Sequence, residues 1–267
     1  MLSDTSLKLA IFAIQKYHFS LKYFIELAYN GTHFHGWQIQ ANAESVEATI
    51  ENTLSLLLGE PTDIVGAGRT DAGVHASFMT AHFDHSTDLN LEDLTHRLNG
   101  FLPKSIAIQK IVQVVENAHA RFDATARTYL YKITQQKNPF LEGWAYEYKH
   151  PLDIRLMNQA ARLLLCHQNF KCFSRSNTDV KTYNCKIVKA EWYFEKDQLV
   201  FVITADRFLR NMVRAIVGTL LDIGTGKLNV DDFIKILASK NRSEAGASVP
   251  AHGLYLAGIT YPKNIYL

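Results

Sequence analysis

Residues 45–59, SVEATIENTLSLLLG, carry a complete helix signal. Ser45 offers a hydroxyl to the first unpaired amides, Val46, Ile50, Leu54 and Leu57 recur at helical spacing, and Gly59 suits a left-handed stop. Upstream, residues 23–29 (YFIELAY) have the β-branched and aromatic content of a strand, followed by the turn pair Asn30-Gly31. Downstream, residues 77–83 (SFMTAHF) read as a second strand. Asn90 then caps a helix with Leu91, Leu94 and Leu98 on one face, closed by Asn99-Gly100 and Pro103, and a strand follows at 106–115. The first half therefore reads β-α-β-α-β.

The second half repeats the theme. Residues 128–133 alternate as a strand, 154–165 have helical spacing, and 187–194 with 199–204 form an expected antiparallel pair. A long helix is expected over 208–223, stopped by Gly224. Asn229 with Asp231 and Asp232 starts a shorter one, and 254–260 is a last strand. Strands and helices mixed without strict βαβ alternation predict an α+β fold of two similar halves around an antiparallel or mixed sheet, with helices on one side. The expected organisation is a tail at 1–20, an N-terminal half at 21–125 and a C-terminal half at 126–267.

At 267 residues, 47% hydrophobic and 20% charged, the chain can bury a sizeable core, which excludes disordered, collagenous and disulfide-stapled classes. No apolar run approaches the roughly 18 residues of a membrane span. Cys166, Cys172 and Cys185 are odd in number and lack a C-x-x-C, so they read as reduced thiols of a cytoplasmic protein. The first twenty residues show no secretory signal. The net charge of +2 hides an asymmetry: residues 121–189 carry 12 Lys and Arg against 5 Asp and Glu, net +7, whereas residues 1–120 are net −6. A local basic surface suits a polyanion such as RNA, and is equally what a solvated face looks like.

Three clusters offer chemistry. Residues 66–75, GAGRTDAGVH, place Asp71 among three glycines. A dinucleotide fingerprint needs glycine where Asp71 stands, and a Walker loop needs Gly-Lys-Ser/Thr, absent here and at 224–227. Two readings remain: a tight turn that lets a bulky ligand approach the backbone beside Asp71, or a surface turn whose Asp bonds its own backbone. Residues 120–132, ARFDATARTYLYK, interleave cations with aromatics, as nucleic acid demands, with Arg127, Tyr129 and Tyr131 on one strand face; half-buried sheet tyrosines are the alternative. Residues 207–218, RFLRNMVRAIVG, put Arg210 and Arg214 on one helical face. Arg214 lies close to the apolar stripe of Leu209, Val213, Ile216 and Leu220, so it should want an anion such as Asp71, unless both arginines are simply solvated. His33-x-His35 and His82-x-x-His85 lack the H-E-x-x-H of a catalytic zinc site, and no G-x-S-x-G elbow is present.

At these clusters the sequence resembles the TruA family of tRNA pseudouridine synthases. The resemblance runs over residues 22–260 through YNGTHFHGWQIQ, SVEATIENTL, GAGRTDAGVHA, LNGFLPKSIAI, HARFDATARTYLYKI, FLRNMVRAIVGTLLDIG and AGASVPAHGLYL. It implies two α+β halves around a central sheet with a basic cleft between them, in a homodimer. It also implies isomerisation of uridine to pseudouridine in the anticodon stem-loop of tRNA, positions 38–40, without metal or organic cofactor. Asp71 matches the family's catalytic aspartate, which attacks C1′ or removes a ribose proton. Tyr129 matches the tyrosine that packs on the flipped uracil and whose hydroxyl can assist proton removal at C5, and Arg214 the basic residue that pairs with Asp71. Arg69, His119, Arg121, Phe122, Arg127, Asn177, Thr178 and Lys181 fall where the family touches tRNA. Ala118 and Lys181 depart from the family's usual aromatic and arginine, and residues 1–20 precede its usual first strand. A non-catalytic RNA-binding or tRNA-folding protein, for which Asp71 would be dispensable, is the alternative from another class; a nucleotide-binding enzyme is a third.

Overall fold

The computed structural model describes residues 20–175 and 180–267. In chain order its elements are β1 (Leu21–Tyr29), α1 (Val46–Leu58), β2 (Val65–Gly66), β3 (His75–His85), α2 (Leu91–Phe101), β4 (Ile106–Val114), β5 (Ala126–Thr134), β6 (Tyr146–Glu147), α3 (Ile154–Leu163), β7 (Ile187–Glu195), β8 (Gln198–Ala205), α4 (Met212–Gly224), α5 (Val230–Ser239) and β9 (Leu254–Thr260). Seven strands form one continuous sheet in the order β4-β1-β3-β9-β5-β8-β7, with β2 on β3 and β6 on β5. Along this path pairing is antiparallel within each half, and the two-residue β6 lies parallel to β5. The join is a short parallel contact between β3 and β9, His75 with Tyr255 and Ala76 with Leu256. This is the expected α+β architecture with a mixed central sheet.

Local signals explain most boundaries. Ser45 accepts the amide of Ala48, and Gly59 stops α1 at φ +77°. Asn229 and Asp232 form a reciprocal capping box on α5. Two expectations fail for tertiary reasons. Asn99-Gly100 does not close α2, because the Asn99 amide donates to the carbonyl of Ile108 and accepts its N–H, both at 2.8 Å, holding the helix on β4. The long helix begins at Met212 rather than Phe208, because Asn211 adopts a left-handed conformation at φ +65° that breaks the turn before it.

Two apolar cores lie along the sheet. One gathers β1, β3, β4, α1 and α2 around Phe24, Ile25, Leu27, Ile50, Leu54 and Leu98. The other surrounds α4, which is buried nearly all round, with Tyr131, Met157, Phe173, Trp192, Phe201 and Phe233. Val74, between Asp71 and β3, belongs to the second core although Ala76 belongs to the first.

The strap 245–249 is pressed onto α4. Gly246 donates to Thr219 Oγ1 at 2.9 Å, and Val249 donates to the carbonyl of Arg214 at 3.2 Å. Gly218 permits the approach, since a Cβ there would overlap the carbonyl oxygen of Ala247. Gly218→Ala should lower the unfolding free energy by about 1–3 kcal/mol, the usual cost of overpacking. Urea denaturation should show a lower midpoint at unchanged m.

Residues 118–123 cover β3 through His82, whose Nδ1 accepts the Ala120 amide at 3.2 Å while its ring lies 4.6 Å from that of His119. Burial, then the nearby Lys22 and His119, pushes His82 down from 6.5 to about 4. The folded state holds the ring neutral while the unfolded chain protonates it first as pH falls. This contribution to stability is therefore complete above pH 6.5 and is lost as pH falls through about 4. His82→Gln keeps an acceptor and does not titrate, so its urea midpoint should fall less steeply than the wild type's across that window. Parallel curves would remove His82 from the acid response.

Candidate active site

Asp71 stands in the loop that joins β2 to β3, and this loop is braced by residues 29–37. The hydroxyls of Tyr29 and Thr70 lie 2.8 Å apart, Trp37 donates to the carbonyl of Thr70 at 3.3 Å, and Gly73 donates to that of Phe34 at 3.3 Å. The two segments touch backbone to backbone. A Cβ on Gly31 would overlap the carbonyl of Val74, and one on Gly36, at φ +99°, would overlap that of Thr70. Asn30-Gly31 is therefore a close-approach site for the Asp71 loop and not a hairpin turn between paired neighbours. Gly66 serves the same packing, because a Cβ there would sit in the indole of Trp37. Of the three loop glycines, Gly68 alone faces open space.

The carboxylate of Asp71 is 28% exposed and has a guanidinium on each oxygen. Arg214 Nη1 lies 3.6 Å from Oδ2, and Arg210 Nε lies 3.7 Å from Oδ1. Arg214 enters from the first turn of α4 with its Nε donating to the carbonyl of Val249 at 2.7 Å, so the strap aims it. The expected pairing of Arg214 with Asp71 is present, and the solvated alternative is not. Arg210 reaches the same carboxylate from the turn before the helix.

Tyr129 projects from the middle of β5, between Ile203 of β8 and Leu256 of β9, with Phe208 edge-on at 5.1 Å. Burial, opposed by Arg127 and reinforced by the Asp71 carboxylate, pushes its phenol up to about 12. At neutral pH the group is a neutral hydroxyl on a half-buried ring. It can stack and hydrogen-bond, but it does not stand ready as a phenolate base.

The remaining predicted residues separate by environment. Arg69 and Lys181 are exposed. Phe122 is 76% exposed, its ring 4.2 Å from that of His119 and 5.9 Å below the Arg121 guanidinium. The Nδ1 of His119 accepts the amides of Arg121 and Phe122, shaping the turn that displays them. Arg127 is placed differently. Its guanidinium donates to the carbonyls of Ala67, Arg121, Ala124 and Asp206 at 2.5–3.1 Å, so it ties the Asp71 loop to the aromatic turn instead of facing a phosphate. Asn177 and Thr178 lie outside the described residues. The sequence reading missed the bracing role of Tyr29, Gly31 and Gly36; the glycines of YNGTHFHGW were the available signal.

His33 and His35 are exposed on the brace, His82 supports Ala120, and His85 pairs with Glu60 at 3.3 Å. No group of three or more His, Cys, Asp or Glu side chains disposed to hold a metal occurs among the described residues, nor any helix long and apolar enough to cross a membrane.

A family model described as tRNA pseudouridine synthase matches residues 27–123 and 160–262, the stretches that carry the Asp71 loop and α4. The chain is 52% identical to tRNA pseudouridine synthase A of Bacteroides fragilis over 247 residues, 92% of this chain and 98% of that one. It is likewise 52% identical to the enzyme of that name from Porphyromonas gingivalis over 250 residues, covering 92% and 99%. At greater distance it is 36% identical to that of Caldicellulosiruptor bescii over 239 residues, 89% and 98% of the two chains. With the loop, the strand tyrosine and the helix arginine in one place, these likenesses establish that the chain belongs to the tRNA pseudouridine synthase family, a family of isomerases.

Proposed function

We propose that this protein isomerises uridine to pseudouridine in the anticodon stem-loop of tRNA, at positions 38–40, with Asp71 acting on the ribose. The observation that carries this reading is the partly exposed Asp71 carboxylate, held at the rim of a braced loop by an arginine on each oxygen. A carboxylate so placed can attack C1′ or take a ribose proton as the base departs. The N1–C1′ bond breaks, the uracil turns, and a C5–C1′ bond forms. The proton leaving C5 balances the one gained at N1, so no electrons are exchanged with outside and the step needs no redox partner.

The uridine must first leave its stack, which costs a few kcal/mol. Tyr129 and Phe208 offer apolar surface beside Asp71 to receive the ring, and Arg69, Arg121 and Phe122 are exposed for phosphate and base contacts. Arg127 supports this surface from beneath. Lys181 is exposed, and with Asn177 and Thr178 it is proposed as a contact on the resemblance alone. A cytoplasmic homodimer that grips one tRNA across both subunits is the assembly this reading implies.

The test is mass-spectrometric mapping of pseudouridine in unmodified tRNA transcript after incubation with wild type and Asp71→Asn, without added metal or nucleotide. Wild type should place pseudouridine at positions 38–40, and Asp71→Asn should lose about 10³-fold or more of the rate while still binding tRNA. Turnover retained by Asp71→Asn would sink the role of the aspartate. Binding without product from wild type would instead favour a non-catalytic RNA-binding protein.

The neutral phenol supports a second expectation. Tyr129→Phe keeps the ring and should lose less than about 100-fold in single-turnover rate, whereas a general base would cost about 10²–10⁴-fold. Tyr129→Ala should be much worse, through loss of the stacking face.

A further inference from the structure

The two arginines on Asp71 are not equivalent. Arg214 is anchored: its side chain is 22% exposed, its Nε is bound to Val249, and its own carbonyl accepts the Val249 amide. Arg210 is 57% exposed, and among the described residues its guanidinium has no partner besides Asp71. At 3.7 Å that contact is an ion pair without a hydrogen bond, of the kind that contributes least. The root of the side chain is nevertheless fixed. Arg175 donates to the Arg210 carbonyl at 3.1 Å, and Asn211 is locked in its left-handed conformation with Nδ2 donating to Ser248 Oγ at 2.6 Å. A long cationic arm thus swings from a rigid pivot at the edge of the site.

A phosphate outcompetes an exposed carboxylate for such an arm, because it offers charge-assisted, two-pronged bonding to the guanidinium fork. Arg210 makes its ion pair at Oδ1, whereas the anchored Arg214 makes its own at Oδ2. We infer that Arg210 is an exchanging cation. In the free protein it caps Asp71 Oδ1; when RNA seats, it transfers to a backbone phosphate and leaves Oδ1 bare toward the ribose, while Arg214 keeps Oδ2. Arg210 is then a positioning and phosphate-binding residue that couples RNA arrival to exposure of the reactive oxygen. This inference rests on the reading of Asp71 given above.

The test is a double-mutant cycle on tRNA affinity, using fully modified transcript that no variant converts. The four proteins are wild type, Asp71→Asn, Arg210→Gln and the double variant. Asp71→Asn frees the arm in advance, so it should tighten binding by about three-fold, the scale of an exposed ion pair. In the Arg210→Gln background the same change should leave affinity unaltered. Arg210→Gln alone should reduce the slope of log K against log salt by about one phosphate's worth, roughly 0.7–0.9, and Arg210→Lys should restore it. Equal tightening in both backgrounds means simple relief of carboxylate–phosphate repulsion and overturns the proposal, as does an unchanged salt slope. Single-turnover assays of wild type separate the two ideas. A protein that forms no pseudouridine sinks the Asp71 reading; one that forms it without the coupling sinks this inference alone.

Discussion

The structure turns on the two-residue parallel contact in which His75 and Ala76 of β3 meet Tyr255 and Leu256 of β9. It is the seam between the two half-sheets, and the side chains around it make it rigid. The His75 ring is stacked between Trp144 at 5.2 Å and Tyr255 at 4.8 Å. Its Nδ1 accepts the Gly31 amide at 3.1 Å and its Nε2 donates to the Gly143 carbonyl at 3.0 Å. Only the neutral ring with its proton on Nε2 satisfies both, and burial, which lowers the pKa of His75, favours that form. One imidazole therefore joins the brace of the first half to a loop of the second. Asp71 lies four residues upstream and inherits its position from this seam.

The helices were legible because capping and apolar spacing are local. Ser45, Gly59, Asn229 and the Val46-Ile50-Leu54 stripe behave as their types require. What was not legible depended on distant partners. Asn99-Gly100 has the composition of a helix stop, yet the backbone of Ile108 captures Asn99. Asn211 carried a faint signal, since asparagine tolerates the left-handed region, but nothing local required the break there. The strands β2 and β6 are two residues each, too short for any alternation to show.

The site divides in the same way. Asp71 was marked by its glycines, although two of them serve internal packing, Gly66 against Trp37 and Gly73 at φ +75°, and not ligand approach. Among the arginines the pairing of Arg214 with Asp71 was legible from its place beside the apolar stripe, but the roles of Arg127 and Arg210 were not, because identical side chains take three roles set by what surrounds them. Arg127 spends its donors on four carbonyls and is a strut, Arg214 divides itself between Val249 and Asp71, and among the described residues Arg210 is held by Asp71 alone. The count of cations between residues 121 and 189 pointed toward RNA. Yet Arg210 and Arg214, the pair on the Asp71 carboxylate, lie outside that segment.

Building the site across the seam has a physical consequence. Val74 is buried in the core around α4, while the backbone beside it is held by the brace from the other core. The loop can thus keep a carboxylate partly exposed between cations without relaxing toward either half. Arg214 is aimed by a strap whose close approach needs Gly218 and Gly246, and Tyr129 stands on the strand that β9 sews to the seam. Each group has its own support, drawn from a different part of the chain, and the three converge only once both halves have folded. In the reaction proposed above, preorganisation of this kind would lower the reorganisation needed when charge develops at the ribose, because the surrounding dipoles and cations already point toward Asp71. The exception is Arg210, exposed and held only by its 3.7 Å ion pair among the described residues, and it is the arm that the proposed exchange with an RNA phosphate would move.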